Sequence, residues 1–313
     1  LHIAIGTLKF PRVRMFWDTS IKMNLFLENM SRDRFFQLRT NLHIVNNLEI
    51  PKDNNDRFVK VRPLYNSIRE RCLQLETEHY LCVDEGMIPF TGKLDIKQYV
   101  KGKPNPWGIK MFMLCGKSGQ VYDFILYQGR RTELQEEYTR KMGIGPAVVL
   151  QLIQRLEGEN GHQLFFDNYF SSYNLFEVLN HKRIMAGGTV RINRFGKNIP
   201  LLGDKELLKK ERGYVDEVTS NQELDSRPVV LCSNFIGKGN EDTVQRWDKH
   251  QKKYVTVARP ELVKTYNYAM GGVDLFDQLI SYYKIFVRSK KWTLRAIFHA
   301  VDFAVVQSWI EYK

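Results

Sequence analysis

Two short apolar runs that each end in a carboxylate decide the fold: Tyr80-Leu-Cys-Val-Asp84 and Leu164-Phe-Phe-Asp167. Apolar runs of this length, bounded by turn-forming residues, are typical of strands buried on both faces. A charged carboxylate that closes such a strand is costly unless it is solvated, paired or bound to a metal. Because open α/β sheets bind ligands outside the carboxyl ends of their strands, both aspartates are candidate functional residues.

The neighbouring sequence predicts more strands and a crossover helix. Segments Ile109–Cys115 and Val121–Tyr127 are apolar and are joined by the turn Gly116-Lys-Ser-Gly119, so three strands follow one another with hairpin-like spacing. A helix that opens at Pro146 then leads into the second aspartate-terminated run. A further strand is predicted near residues 184–190. This succession predicts an α/β fold.

The segments before and after this core have different sequence patterns. Before it, Ser31 can cap an amphipathic helix, and a second helix follows Pro63. Between about residues 191 and 259 the predicted strands are short, β-branched and separated by turns, which indicates a β-rich insertion. They are Tyr214–Thr219, Val229–Phe235, Val244–Trp247 and Tyr254–Ala258. After Pro260 the chain is helical apart from the Gly271-Gly272 interruption. We therefore divide the chain into a helical region 1–78, the first part of the core 79–190, the insertion 191–259 and the final core helices 260–313.

Charge and composition restrict the class of partner. The 313 residues carry 47 Lys+Arg against 35 Asp+Glu, a formal net charge of +12, and 43% are hydrophobic. Such a chain is globular, and its positive surface attracts polyanions, either nucleic acid or an anionic membrane surface. The most apolar stretch, Ala296–Ile310, is interrupted by polar residues, so no membrane span is predicted. Four scattered cysteines fit a reducing compartment and argue against a zinc or disulfide framework.

A third acidic position lies on the late helix. Asp274 follows the Gly271-Gly272 break, and Asp277 lies one turn further on the same face. An acid on the opening strand of a meander, one after a crossover helix and one on a later helix is the order found in RNase H-like polynucleotidyl transferases. In those enzymes three carboxylates hold two divalent metals ~3.5–4 Å apart. Oxygen ligands suit Mg²⁺ or Mn²⁺ better than zinc.

Simpler roles stay open for each aspartate taken alone. A single aspartate at a strand end more often forms a turn or a helix cap than a catalytic site. Asp167 could cap the helix that starts near Ser171, and Asp274 could cap the helix after the two glycines. Competing acids that the pattern does not rank are Glu85, Asp95, Asp123, Asp277 and Asp302.

Longer motifs add a resemblance. They are Val83-Asp-Glu-Gly-Met-Ile-Pro-Phe-Thr-Gly-Lys93, Lys97-Gln-Tyr99 with Lys103-Pro104, Gly108-Ile-Lys110, Phe166-Asp-Asn-Tyr-Phe-Ser-Ser172, and Tyr266-Asn267 with Gly271-Gly-Val-Asp-Leu-Phe-Asp-Gln-Leu279. In this order, over nearly the whole chain, they resemble the piggyBac transposase family. The resemblance implies an RNase H-like core that is interrupted by a β-rich insertion and preceded by a helical dimerisation and DNA-binding region. It also implies that Asp84, Asp167 and Asp274 are the catalytic, metal-binding triad and that Asp277 is a supporting metal ligand.

The implied activity is cut-and-paste DNA transposition. Metal-activated water would nick double-stranded DNA at transposon ends, the freed 3′-OH would form a hairpin, and the ends would join to a TTAA target. We expect Mg²⁺ or Mn²⁺ as cofactor, a homodimer, no membrane contact and a nuclear location. Two other hypotheses stay open: a domesticated descendant that binds DNA without cutting it, and an RNase H-like nuclease with another polynucleotide substrate. Family members commonly carry further N-terminal and C-terminal regions, so we expect recognition of transposon ends to need more than these residues.

Basic residues cluster around the acids. Such groups can neutralise phosphates, and aromatic residues among them can stack on unpaired bases. For any one lysine, a solvated surface role is the alternative. The predicted DNA-contacting residues are Lys93, Lys97, Lys101, Lys103, Arg130, Arg131, Arg191, Arg194, Arg288, Lys290, Lys291 and Trp292, with Lys110 in the same cluster.

Overall fold

The described part of the chain is built around a mixed sheet of nine strands, with helices packed on both faces. The computed structural model describes residues 1–8, 10–156, 161–191, 214, 217–219, 223–225, 230–249, 251–282, 284–285, 287 and 289–313. Within these ranges the strands of the sheet are β1 (Tyr80–Pro89), β2 (Gln98–Tyr99), β3 (Trp107–Gly116), β4 (Val121–Leu126), β5 (Gln163–Phe166), β6 (Met185–Thr189), β7 (Glu217–Thr219), β8 (Glu223–Asp225) and β9 (Leu231–Ser233). A separate hairpin consists of β10 (Asp242–Asp248) and β11 (Lys253–Arg259).

Helices cover both ends of the sequence, as the periodicity predicted. Ser31 caps its helix by accepting a hydrogen bond from the Arg34 backbone N–H at 3.3 Å. Among the described helices, none combines the length and apolar character needed to cross a bilayer. The α-helices are α1 (His2–Leu8), α2 (Asn24–Leu27), α3 (Arg32–Asn41), α4 (Arg62–Leu73), α5 (Glu136–Met142), α6 (Ile144–Leu152), α7 (Tyr173–His181), α8 (Glu261–Ala269), α9 (Gly272–Tyr282) and α10 (Trp292–Tyr312).

Strand order confirms the predicted α/β fold class. The path through the sheet is β2-β3-β1-β5-β6-β9-β8-β7, with β4 paired to β3. The first three long strands, β1, β3 and β4, form an antiparallel meander. The chain then crosses over through α6, and β5 and β6 join the sheet in parallel. This arrangement is the one expected of an RNase H-like core.

Strand β1 is longer than the sequence predicted. It was expected to end at Asp84, but its antiparallel pairing with β3 continues to Pro89 opposite Gly108. Parallel pairing with β5, in contrast, stops at Val83 opposite Phe166. The prediction that Asp84 closes the strand is therefore wrong, because β3 continues to pair with the residues that follow. Asp84 instead lies where the parallel pairing ends.

The predicted β-rich segment contributes strands to two sheets. Strand β9 pairs antiparallel with β6, and β8 and β7 extend the main sheet beyond it. Strand β8 was not predicted. Strands β10 and β11 match the predicted segments 244–247 and 254–258, and the structure pairs them as a hairpin. The strand predicted to start at Tyr214 falls partly outside the described residues. The proposed division of the chain at residues 78, 190 and 259 stays a prediction.

Both faces of the central strands are buried. Leu81 and Val83 of β1 pack in one apolar cluster with residues of α6 and α7. Cys82, between them in sequence, packs on the opposite face with residues of α4, α9 and α10. Side chains alternate across a strand, so burial on both faces requires the continuous apolar run seen in the sequence.

Helix α9 begins in backbone contact with the sheet. A Cβ atom placed on Gly272 would overlap the carbonyl oxygen of Gly116 and would lie 3.0 Å from the Cys82 sulfur. The same addition to Gly271 meets no atom within 4 Å. Glycine at position 272 therefore allows the first turn of α9 to reach strands β1 and β3.

Gly272→Ala is expected to destabilise the protein by about 1–3 kcal/mol, because the added methyl group pushes α9 away from a backbone carbonyl that cannot yield. Gly271→Ala is the matched control and should change the free energy of unfolding by less than about 0.5 kcal/mol. Urea denaturation followed by circular dichroism measures both. Equal stability of the two variants would show that close approach of α9 is not required.

Candidate functional site

One open cavity of about 840 Å³ brings together the acids that the sequence singled out. Asp84, Asp167, Asp274 and Asp277 all line it. They come from strand β1, the residue after strand β5, and the first two turns of helix α9. Pairing of Val83 with Phe166 puts the next residues, Asp84 and Asp167, in register at the point where β1 and β5 separate.

Asp84 is held in an electrostatically unfavourable position. Its Oδ1 accepts a hydrogen bond from the backbone N–H of Glu85 at 2.8 Å. Burial, together with the charge of Glu85, raises the pKa of Asp84 from 3.8 to about 7. Lys103 opposes this rise but does not cancel it. A cation in the cavity would therefore stabilise the ionised form of Asp84.

Asp167 organises the turn that follows β5. Its Oδ1 accepts a hydrogen bond from the backbone N–H of Tyr169 at 2.7 Å, and its carbonyl oxygen accepts one from the Ser171 hydroxyl at 3.0 Å. Helix α7 is capped instead by Ser172, which accepts from the Leu175 N–H at 3.3 Å. Burial raises the pKa of the Asp167 carboxyl. The alternative role of Asp167 as the helix cap is thus filled by a serine.

Asp274 and Asp277 approach the cavity from α9. Asp277 lies close to strand β1, because a Cβ atom on Gly86 would be 3.6 Å from its Oδ1. Burial raises the pKa of Asp277 to about 6. The Lys103 ammonium lies 2.7 Å from Asp274 Oδ1 and 3.8 Å from Asp277 Oδ2. Part of the negative charge is therefore neutralised from within the protein.

The donor set suits a hard divalent cation. It consists of carboxylate oxygens, which Mg²⁺ and Mn²⁺ prefer. Burial raises the pKa of three of the four carboxyls, those of Asp84, Asp167 and Asp277. The Lys103 ammonium already stands in for a cation beside Asp274. In the described part of the chain, however, no three such groups stand close enough to form an assembled metal cluster. An ion would have to draw these carboxylates together.

A buried ion pair lies behind the acids. The Lys110 ammonium is 3.4 Å from Glu85 Oε2 and lies over the ring of Tyr169, 4.3 Å from its centroid. Lys110, which the sequence placed in the basic cluster, is only 9% exposed, and its ammonium faces Glu85 inside the protein instead of the surface. Its position inside the apolar run of β3 was a signal for burial. Lys284, which the sequence analysis did not single out, also lines the cavity, and burial lowers its pKa.

Several predicted DNA-contacting residues are engaged with the protein. Arg191 donates from Nε to Asn168 Oδ1 at 3.0 Å, which ties it to the residue after Asp167. Lys97 donates to the carbonyl oxygen of Gly92 at 2.9 Å and lies over the Trp107 ring. Lys291 donates to the Thr40 carbonyl oxygen at 3.1 Å.

Other basic positions lie open to solvent. Lys93, Lys101, Arg130, Arg131 and Lys290 are exposed, and among these Lys101 lines the cavity. Trp292 is partly buried and meets the Phe58 ring edge to face, with centroids 6.2 Å apart. Arg194 and Arg288 lie outside the described residues. A role of these residues in DNA binding stays a prediction.

Comparison with known proteins gives a consistent family. A sequence model of the Transposase IS4 family matches residues 1–309. Human PiggyBac transposable element-derived proteins 3 and 2 are each 33% identical to this chain. Each alignment covers 98% of this chain and 53% of the human protein. The chain thus spans about half the length of these curated relatives. A cryo-EM structure of a piggyBac transposase synaptic complex with hairpin DNA matches with a TM-score of 0.79 and 25% identity, over 99% of this chain and 63% of that one.

The raised pKa of Asp84 predicts how stability depends on pH without divalent ions. Between pH 5 and 8 the Asp84 carboxyl loses its proton in the folded protein, whereas the same carboxyl is already ionised in the unfolded chain. The free energy of unfolding therefore falls as pH rises. Asp84→Asn should flatten this fall and should stabilise the protein at pH 8 by on the order of 1–3 kcal/mol. Urea titrations in EDTA at several pH values measure it. Asp53→Asn, on an exposed loop, should keep the original pH profile; an unchanged profile in Asp84→Asn would contradict the prediction.

Proposed function

The chain belongs to the piggyBac family of transposases and transposase-derived proteins, and on that basis we propose that it is the core of a metal-dependent DNA transposase. The observation that carries the proposal is the convergence of Asp84, Asp167 and Asp274 on one cavity. These acids come from two adjacent parallel strands and a later helix, in the order that the family motifs predicted.

In the proposed mechanism the carboxylates act as ligands and as a frame for the reacting groups. Asp84, Asp167 and Asp274 would hold Mg²⁺ or Mn²⁺, with Asp277 as a supporting acid. Bound divalent metal supplies activation of the attacking oxygen and stabilisation of the leaving one. Asp167 is oriented by its hydrogen bond from Tyr169, and Asp84 by the one from Glu85, so both side chains are pre-positioned. The cavity is open, which leaves room for a DNA strand.

DNA is the substrate that we propose for this site. The solved relative is a synaptic complex with hairpin DNA, and a basic surface near the acids would attract a phosphate backbone. Lys101, which lines the cavity, and Arg191, which is hydrogen-bonded to Asn168, are candidates for phosphate contact. We propose cleavage at transposon ends, joining to TTAA targets, action as a homodimer, and a nuclear location.

A second candidate is a domesticated protein that binds DNA without cutting it. The matched human proteins are named as transposable element-derived. The described acids also do not form an assembled metal cluster. Retention of all four aspartates is compatible with either activity, so only a reaction assay separates the two candidates.

The transposase proposal predicts that Asp84→Asn and Asp167→Asn each abolish nicking and hairpin formation while DNA binding persists, since each removes a metal ligand. The assay incubates a full-length protein that contains this chain with a piggyBac-type end substrate and Mg²⁺ or Mn²⁺. Asp95→Asn, an exposed acid of the same region, is the matched control and should keep activity. DNA binding without products in every version, the unmodified protein included, would favour the domesticated alternative.

The basic residues proposed to contact phosphate predict a specific salt dependence. The plot of log binding constant against log salt concentration has a negative slope. Replacing Lys93 and Lys101 together by Gln should make this slope less steep by about 2, since each phosphate contact contributes about 0.9. Fluorescence anisotropy with labelled duplex DNA at several salt concentrations measures the slope. Lys141→Gln, in an exposed pair with Glu137 on α5, should leave it unchanged. An unaltered slope in the double variant would remove these two lysines from the DNA interface.

A further inference from the structure

The loop between β2 and β3 forms one wall of the carboxylate cavity. Residues 100–105 all line the cavity, and the loop is closed at its base by a hydrogen bond from the Val100 N–H to the Pro106 carbonyl oxygen at 2.8 Å. Tyr99 and Trp107 pair across the two strands, with ring centroids 4.9 Å apart. Near the tip, Gly102 has a φ of +95° and open space around it. The loop is therefore anchored at its base and turns sharply at its tip.

Lys103 differs from its neighbours in where its side chain points. Lys101, Gly102 and Pro104 are exposed, whereas the Lys103 side chain is only 15% exposed. Its ammonium donates to Asp274 Oδ1 at 2.7 Å and lies 3.8 Å from Asp277 Oδ2. Withdrawing an ammonium from water is costly unless opposite charges compensate it. The carboxylates of α9 supply that compensation by direct contact, and the charge of Asp84 adds to it.

We propose that Lys103 is a built-in counter-ion of the cavity, which a divalent cation must displace before the site can bind metal. This inference rests on the proposed function, in which the same carboxylates are metal ligands. The Lys103 ammonium and a metal ion compete for Asp274 Oδ1, and a divalent ion brings the larger charge. Lys103 therefore stabilises the metal-free protein and weakens metal binding by the same contact.

After displacement, the Lys103 side chain can move toward the opening of the cavity. Lys101, two residues away on the same loop, is already exposed at the cavity. Once freed from Asp274, the Lys103 ammonium can turn toward the cavity opening, where a phosphate would approach the metal. The residue thus exchanges a carboxylate partner for a phosphate partner when metal arrives. A simple surface contact to DNA, by contrast, would not influence metal affinity.

The test measures Mn²⁺ binding to the chain without DNA, by isothermal titration calorimetry. Lys103→Met removes the competing charge and should bind Mn²⁺ about tenfold more tightly than the unmodified chain. Lys103→Arg retains the charge and should stay near the unmodified affinity. Lys141→Met, an exposed lysine that pairs with Glu137 on α5 and does not line the cavity, is the matched control and should not change it. Circular dichroism verifies that each variant is folded, and Lys103→Met should melt at a lower temperature in EDTA.

Additional variants separate this inference from the proposed function. Asp84→Asn and Asp167→Asn should each weaken Mn²⁺ binding. If they do and Lys103→Met binds Mn²⁺ with unchanged or lower affinity, the counter-ion role is overturned and the metal site stands. If the unmodified chain does not bind Mn²⁺, or the aspartate variants bind it equally well, the metal site itself fails and the counter-ion role fails with it.

Discussion

Parallel pairing between β1 and β5 is the interaction on which the rest of the site depends. It aligns Val83 with Phe166 and ends there, so that Asp84 and Asp167 leave the sheet side by side. Three of the four paired positions, from Leu81–Leu164 to Val83–Phe166, are apolar on both strands. The register is therefore costly to shift, because a slip by one residue would exchange the two buried faces. Two carboxylates that are far apart in sequence are thereby held next to each other.

Concentrating negative charge in this way has an energetic cost. Burial and the neighbouring Glu85 raise the pKa of Asp84, and burial raises that of Asp277. Two lysines relieve the cost from different sides: Lys110 pairs with Glu85 inside the protein, and Lys103 pairs with Asp274 from the β2–β3 loop. The inner pair is enclosed by aromatic rings, whereas the outer one lies at an open cavity. Only the outer lysine is therefore placed where an incoming cation can replace it.

Close contact of α9 with the sheet completes the arrangement. Gly272 lets the helix begin against the Gly116 carbonyl, and the two turns that follow carry Asp274 and Asp277 toward β1. The sequence showed the glycine pair and the spacing of the two acids. It showed neither which strand the helix would meet nor that Lys103 would reach those acids, since both depend on contacts between segments far apart in the chain.

Local pattern by itself determined the strands that carry Asp84 and Asp167, the helices at both ends and the order of the acids, because apolar periodicity and capping residues act over a few neighbours. Tertiary structure decided what depends on distant partners. Strand β1 continues past Asp84 because β3 pairs with it, and Lys110 is buried because Glu85 and Tyr169 enclose it. The acids form one site because the β1–β5 register and the packing of α9 against the sheet bring them to the same cavity. These contacts, like the lysines that compensate the acids, join groups that are far apart in the sequence, so local pattern could not predict them.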